Sequence, residues 1–243
     1  MRRRTLLILT LALLAVPLVA GDAWKKKPPA QWTPEEALEV LTDSPWAKKV
    51  SVWQVTGQTQ EHVDLERRTY QDAPDEAPLT VTSGRTTTLP EVVEGVYRVQ
   101  WSSAALLRES VTRLRQAGAE ALVELHGPPA ELPAEEIVVT VRVVKPPAAP
   151  ALPLWASLDD SQLAGRTKLT TSDKREARPA RVVRHGVGAG EAISFYFPRT
   201  IQGQPAPGAQ TKWAEFSLES RYGDRLKVRF KLGEMRVNGR PDY

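Results

Sequence analysis

KWAEFSLESRYGDRLKVRFKL, residues 212–232, holds two stretches of alternating apolar and polar side chains, joined by residues suited to a turn. Alternation at period 2 marks a strand with one face in a core and the other in water. In the second stretch Leu226, Val228, Phe230 and Leu232 share one face, and Arg225, Lys227, Arg229 and Lys231 share the other. Like charges along one face repel unless something answers them. If the first stretch folds back through Tyr222, Gly223 and Asp224 as a three-residue hairpin loop, Leu218 lies opposite Val228 and Phe216 opposite Phe230. The same register sets Glu219 against Lys227, Ser217 against Arg229 and Glu215 against Lys231. Two uses of the charged face stand open. It is a solvated, partly neutralised surface, or it is an anion-binding surface, since this register leaves Arg225 and Arg229 without an acidic partner.

Upstream, GRTKLTT, ARVVRH and AISFYFP carry further strand patterns, which predicts an antiparallel meander with QGQPAPGAQ as one long hairpin loop. KPPAAPALP is the best domain boundary, separating a region 24–145 from a region 151–243. In the first region Thr33 suits an N-cap, Pro34 the first helical position and Glu36 the third, and Ser44-Pro45 should end that helix. A strand follows through Val50 and Val52. Residues 57–95 read as a loose acidic loop with at most one short strand near 79–82. Tyr97, Val99 and Trp101 then alternate as a strand, and Ser102 or Ser103 is placed to cap a helix running to about Ala117 and stopped by Gly118. EEIVVTVRVV is a further strand, and LWASLDDSQLAG a short helix. The expected class is α+β: antiparallel sheet or sheets with two or three short helices, the C-terminal half a mostly β meander.

Arg2, Arg3 and Arg4 precede an uncharged apolar run, residues 6–20, with Gly21 and Ala23 beyond it. This is the layout of a secretory signal, expected at 1–23 and cleaved after Ala20 or Ala23. As a helix the run would reach about 22 Å at ~1.5 Å per residue, short of a bilayer core of roughly 30 Å. Cleavage is thus favoured over an uncleaved anchor, and no transmembrane span is expected afterwards. The destination is a secreted or periplasmic location. Removing 1–23 takes three arginines and Asp22 from a chain of 33 basic and 29 acidic residues, so the net charge falls from +4 to +2. The apparent basicity is largely a targeting signal, and no nucleic-acid partner is expected. The chain has no cysteine, which excludes thiol nucleophiles, Cys-based zinc sites and disulfides.

Catalytic and metal-binding patterns fail on inspection. The glycines of RHGVGAGEA precede a strand instead of a helix N-terminus, so the segment reads as a hairpin loop and not a phosphate loop. His62, His126 and His185 lie in separate segments, and neither G-x-S-x-G nor H-E-x-x-H occurs. No metal, cofactor or catalytic residue is assigned. Trp32, Trp46, Trp53 and Trp101 sit beside expected elements and read as packing residues.

WTPEEALEVLTDSPWAKKVSV, YRVQWSSAALLRE and SFYFPR, with a basic final strand running into LGEMRVNGR, carry a resemblance beyond these local readings. The chain resembles a group of uncharacterised exported bacterial proteins that show W-x-x-E-E, S-P-W-A-K, R-V-x-W-x-S-A and F-x-F-P-R motifs. The resemblance implies export and a shared fold, and no activity. Among its motif residues Lys48 and Arg199 lack an evident structural role and are candidate ion-pair members or ligand contacts. The expected function is therefore a non-catalytic binding or assembly module of the cell envelope. Its partner would be an acidic protein or polymer, met by Arg225, Lys227, Arg229, Lys231, Arg199 and Lys48. The alternatives are a hydrolase of envelope polymers using His185 or His126 with a carboxylate within about 3 Å, and a purely structural protein.

Overall fold

The computed structural model describes residues 23–56, 91–149, 151–186 and 191–243. The expected signal segment (Ala23 aside), His62, residues 57–90 of the acidic loop and the strand near 79–82 lie outside these residues, while residues 91–95, expected as loop, begin a strand paired along a neighbouring one. The strands are β1 (Ala47–Thr56), β2 (Glu91–Trp101), β3 (Glu136–Lys145), β4 (Thr167–Thr171), β5 (Glu176–Ala177), β6 (Arg181–His185) and β7 (Ala192–Pro198). They continue as β8 (Thr200–Ile201), β9 (Gln204–Pro205), β10 (Trp213–Glu219), β11 (Arg225–Lys231), β12 (Arg236–Val237) and β13 (Arg240–Pro241). The helices are α1 (Ala23–Lys26), α2 (Pro34–Thr42), α3 (Ala105–Gln116), α4 (Glu120–His126) and α5 (Asp160–Arg166). The α+β class holds, with more helices than the two or three expected.

Local chemistry explains where the helices begin. At α2 the Thr33 hydroxyl accepts from Glu36 N while Glu36 Oε2 accepts from Thr33 N, a reciprocal capping box. Asp159 and Gln162 build the same device at α5. At α3 the expected serine caps are not used. Ser102 Oγ donates instead to Thr140 Oγ1 at 2.7 Å, inside the sheet. The cap comes from Asp242, whose two carboxylate oxygens accept from Ala105 N at 2.7 Å and Leu106 N at 3.0 Å. A carboxylate there also meets the positive end of the helix dipole.

Two antiparallel sheets form the body, ordered β1-β2-β3-β7-β6 and β11-β10-β4-β5. Residues on both sides of the proline run share the larger sheet, because β7 pairs with β3. That pairing also changes the expected meander. Since β7 and β10 belong to different sheets, the segment QGQPAPGAQ crosses between sheets and is not one hairpin loop; its start pairs as β9 with β8 just before it. Strand β6 pairs antiparallel with β7, and of RHGVGAGEA residues 187–190 lie outside the described residues. On β2, Gly95 admits the Tyr97 ring, since a Cβ there would come within 3.0 Å of the phenol. The Tyr97 hydroxyl accepts from Leu154 N, and its ring meets Trp155 edge-on at 5.5 Å, fastening the proline-rich crossing.

The sheets pack through aromatic side chains. Phe230 of β11 meets Trp101 of β2 at 5.3 Å, and Phe216 of β10 meets Phe195 and Phe197 of β7 at 5.3 and 6.3 Å; all five rings are fully buried. Trp32 and Trp46 are buried as expected, whereas Trp53 is 60 % exposed, on the face of edge strand β1 that points away from the smaller sheet.

The β10–β11 hairpin keeps the expected faces in a different register. Glu215 lies opposite Arg229, Phe216 opposite Val228, Ser217 opposite Lys227 and Glu219 opposite Arg225. The loop is Arg221, Tyr222 and Gly223, one residue earlier than read from the sequence. Gly223 has φ +90°, the left-handed position that closes a three-residue loop, so it must come last and not in the middle. Ser220 Oγ accepts from Tyr222 N and Asp224 N at 3.1 Å each and locks the turn. Moving the loop by one residue moves every pairing by two, which preserves the faces and changes the partners.

Phe216→Ala should lower the unfolding free energy by about 3–5 kcal/mol, the usual cost of emptying a buried phenylalanine site, and Asp242→Ala by about 1 kcal/mol for a lost helix cap. Chemical denaturation of the two variants checks both the sizes and their order.

Candidate functional site

The charged row on β11 is exposed, with side-chain exposures of 61 % for Arg225, 56 % for Lys227, 53 % for Arg229 and 70 % for Lys231. Its neighbours answer every charge. Arg225 pairs with Glu219 at 2.9 Å, Arg229 with Glu215 at 2.9 Å, Lys227 with Glu215 at 3.9 Å and Lys231 with Glu234 at 3.1 Å. Arg225 and Arg229, expected to lack acidic partners, have the best of them, because the shifted register puts each directly across from a glutamate. Arg229 also stacks over the Trp213 ring at 4.1 Å.

The other two candidates lie apart from this row. Arg199 donates to the main-chain oxygens of Ala134 at 2.8 Å and Tyr243 at 2.9 Å, a clasp between two chain segments. Lys48 is half-buried on β1 in register with Val99, on the face of the larger sheet that looks toward the smaller one. The outward row of β11 lies on the face of the smaller sheet turned away from the larger one.

A second group of cations occupies the opposite face of the larger sheet. Lys49, Arg98 and Arg142 are direct register partners on β1, β2 and β3, so the three form a row across the sheet. Lys49 is exposed, while Arg98 is 4 % and Arg142 8 % exposed. The carboxyl ends of α2 and α4 lie over this face. Gln100 Nε2 donates to Leu41 O and His126 O, and Arg142 Nη2 donates to Gly127 O. Arg98 Nη1 lies 2.7 Å from His126 Nδ1. A guanidinium only donates, so His126 Nδ1 accepts and the ring proton sits on Nε2. Burial pushes the Arg98 guanidinium down to about 10, with Arg142 adding to the shift. Burial and then Arg98, Arg142 and Lys49 push His126 down to about 4.

Beside this row a chain of buried hydroxyls runs from Ser102 through Thr140 to Ser194, and His185 Nε2 lies 2.9 Å from Ser194 Oγ. Burial, then Arg142, lowers the His185 pKa. Ser194 is fully buried and bonded on both sides, an arrangement that braces strands and offers no open nucleophile. The partner of each described histidine is thus an arginine or a hydroxyl, not a carboxylate. No group of three or more His, Asp or Glu placed to hold a metal occurs among the described residues.

The transverse row was out of reach of sequence reading, because Lys49, Arg98 and Arg142 become neighbours only through the register of three strands. The available signal was a cation at an alternating position in each of three expected strands. No protein-family model, curated protein or solved structure matches the chain.

His126 and His185 set a pH dependence. Above the ordinary histidine value of 6.5 both rings are neutral in the folded and unfolded chains. Below it the unfolded chain takes up protons that the folded chain resists, His126 down to about pH 4, so stability should fall across that window. His126→Asn keeps an acceptor for Arg98 and removes the titration. The unfolding free energy from chemical denaturation between pH 7 and pH 4 should fall less in this variant, by on the order of 1 kcal/mol after allowance for solvent screening.

Proposed function

We propose that this chain is an exported, non-catalytic binding or assembly module of the cell envelope, and that it meets an acidic protein or polymer through the outward face of β11. The observation that carries the reading is the regular, exposed set of four cations on the edge strand of the smaller sheet. Alternate residues of a strand lie about 6.7 Å apart, so the row extends about 20 Å. Arg229 is held in place by Trp213 and Glu215, which lowers the ordering cost of using it in a contact. Exposed ion pairs are worth about 0–1 kcal/mol each, so a partner's carboxylates or phosphates can take over from the glutamates at little cost.

Export rests on the basic and apolar layout of the first 23 residues and on the resemblance of the sequence motifs to exported bacterial proteins. No helix among the described residues is long and apolar enough to cross a membrane. A purely structural role for the same ion-paired face is the competing reading, and one experiment separates them. Arg225→Gln with Arg229→Gln should leave the melting temperature within a few degrees of the parent and abolish co-purification of an acidic envelope component. Unchanged co-purifying components would leave the face a structural one.

A further inference from the structure

We infer that Lys49, Arg98 and Arg142, together with the Nε2–H of His126, form a binding site for a small oxyanion on the helix-covered face of the five-stranded sheet. The inference is independent of the β11 face. Directly opposed residues in antiparallel strands hold their Cβ atoms about 5 Å apart, and like charges so placed destabilise a sheet. Here three cations stand in one such row. Among the described residues neither Lys49 nor Arg98 forms an ion pair. Arg98 is 4 % exposed, the one hydrogen bond of its guanidinium among the described residues goes to a neutral imidazole, and its Nε is buried without a partner.

The plainer reading is that the arginines serve to clamp the carboxyl end of α4. Arg142 and Gln100 do bond main-chain oxygens there. A helix end supplies about half a negative charge, however, and α4 is only Glu120–His126. A buried guanidinium left without a counter-charge is strongly unfavourable, so an anion is the missing partner. Size follows from access. Lys49 is exposed and Arg98 is 4 % exposed, a setting that suits a phosphate or carboxylate group and not a folded surface. His126 Nε2–H adds a neutral donor, and the planar guanidinium of Arg98 suits two oxygens of one oxyanion.

Thermal unfolding of the full chain in chloride, phosphate and acetate at equal ionic strength tests this. Phosphate, acetate or both should raise the melting temperature above that in chloride. A response to phosphate alone identifies a phosphoryl group as the ligand chemistry, and a response to acetate identifies a carboxylate. Lys49→Glu, at an exposed position, places a carboxylate directly across from Arg98 and should remove the response while leaving the melting temperature in chloride at least as high as the parent's. The site is overturned if neither anion stabilises the parent beyond chloride, or if Lys49→Glu retains the full response.

Discussion

Face-to-face packing of the two sheets, through Phe216 and Phe230 on one side and Trp101, Phe195 and Phe197 on the other, constrains everything else in the molecule. A strand presents successive side chains to opposite faces, so burying one face of β10 and β11 turns Arg225, Lys227, Arg229 and Lys231 outward. The same packing uses up the apolar face of the larger sheet. Its other face is left to Arg98, Gln100, Thr140, Arg142 and Ser194, over which the ends of α2 and α4 close.

Two cationic rows result, and physical setting separates them. Along β11 the charges stand about 6.7 Å apart in water, where two unit charges repel by roughly 0.6 kcal/mol, and glutamates lie beside them. Across β1, β2 and β3 the spacing is about 5 Å in a partly dry environment, where the same repulsion is on the order of 3 kcal/mol. The row that stands out in the sequence is therefore cheaply neutralised by the fold. In the row hidden in the sequence, Arg98 is buried beside a neutral imidazole, with its Nε unpartnered.

Legibility in the sequence followed the range of the interactions. The capping box of Thr33 and Glu36 and the alternation in β10 and β11 lie within a few residues of one another and were readable. The hairpin loop was displaced by a single residue because the left-handed role of Gly223, though local, decides between two registers that satisfy the apolar face equally well. Helix α4 went unread because it is seven residues long with no side-chain cap to announce it. The cap of α3 comes from Asp242, 137 residues from the helix start, and no local pattern encodes that. The transverse row failed for the same reason, compounded by a register shift between Val96 and Tyr97 on β2 that falls just before Arg98.

Since the chain has no cysteine, single cysteines can be placed along β11 and their reaction with a thiol reagent followed in the folded protein. Cysteines at 225, 227, 229 and 231 are expected to react within the time of free thiols, and those at 226, 228 and 230 only after unfolding. Uniform reaction along the strand, or protection at the odd-numbered positions in place of the even ones, would contradict the packing of the two sheets and with it the outward placement of the charged row.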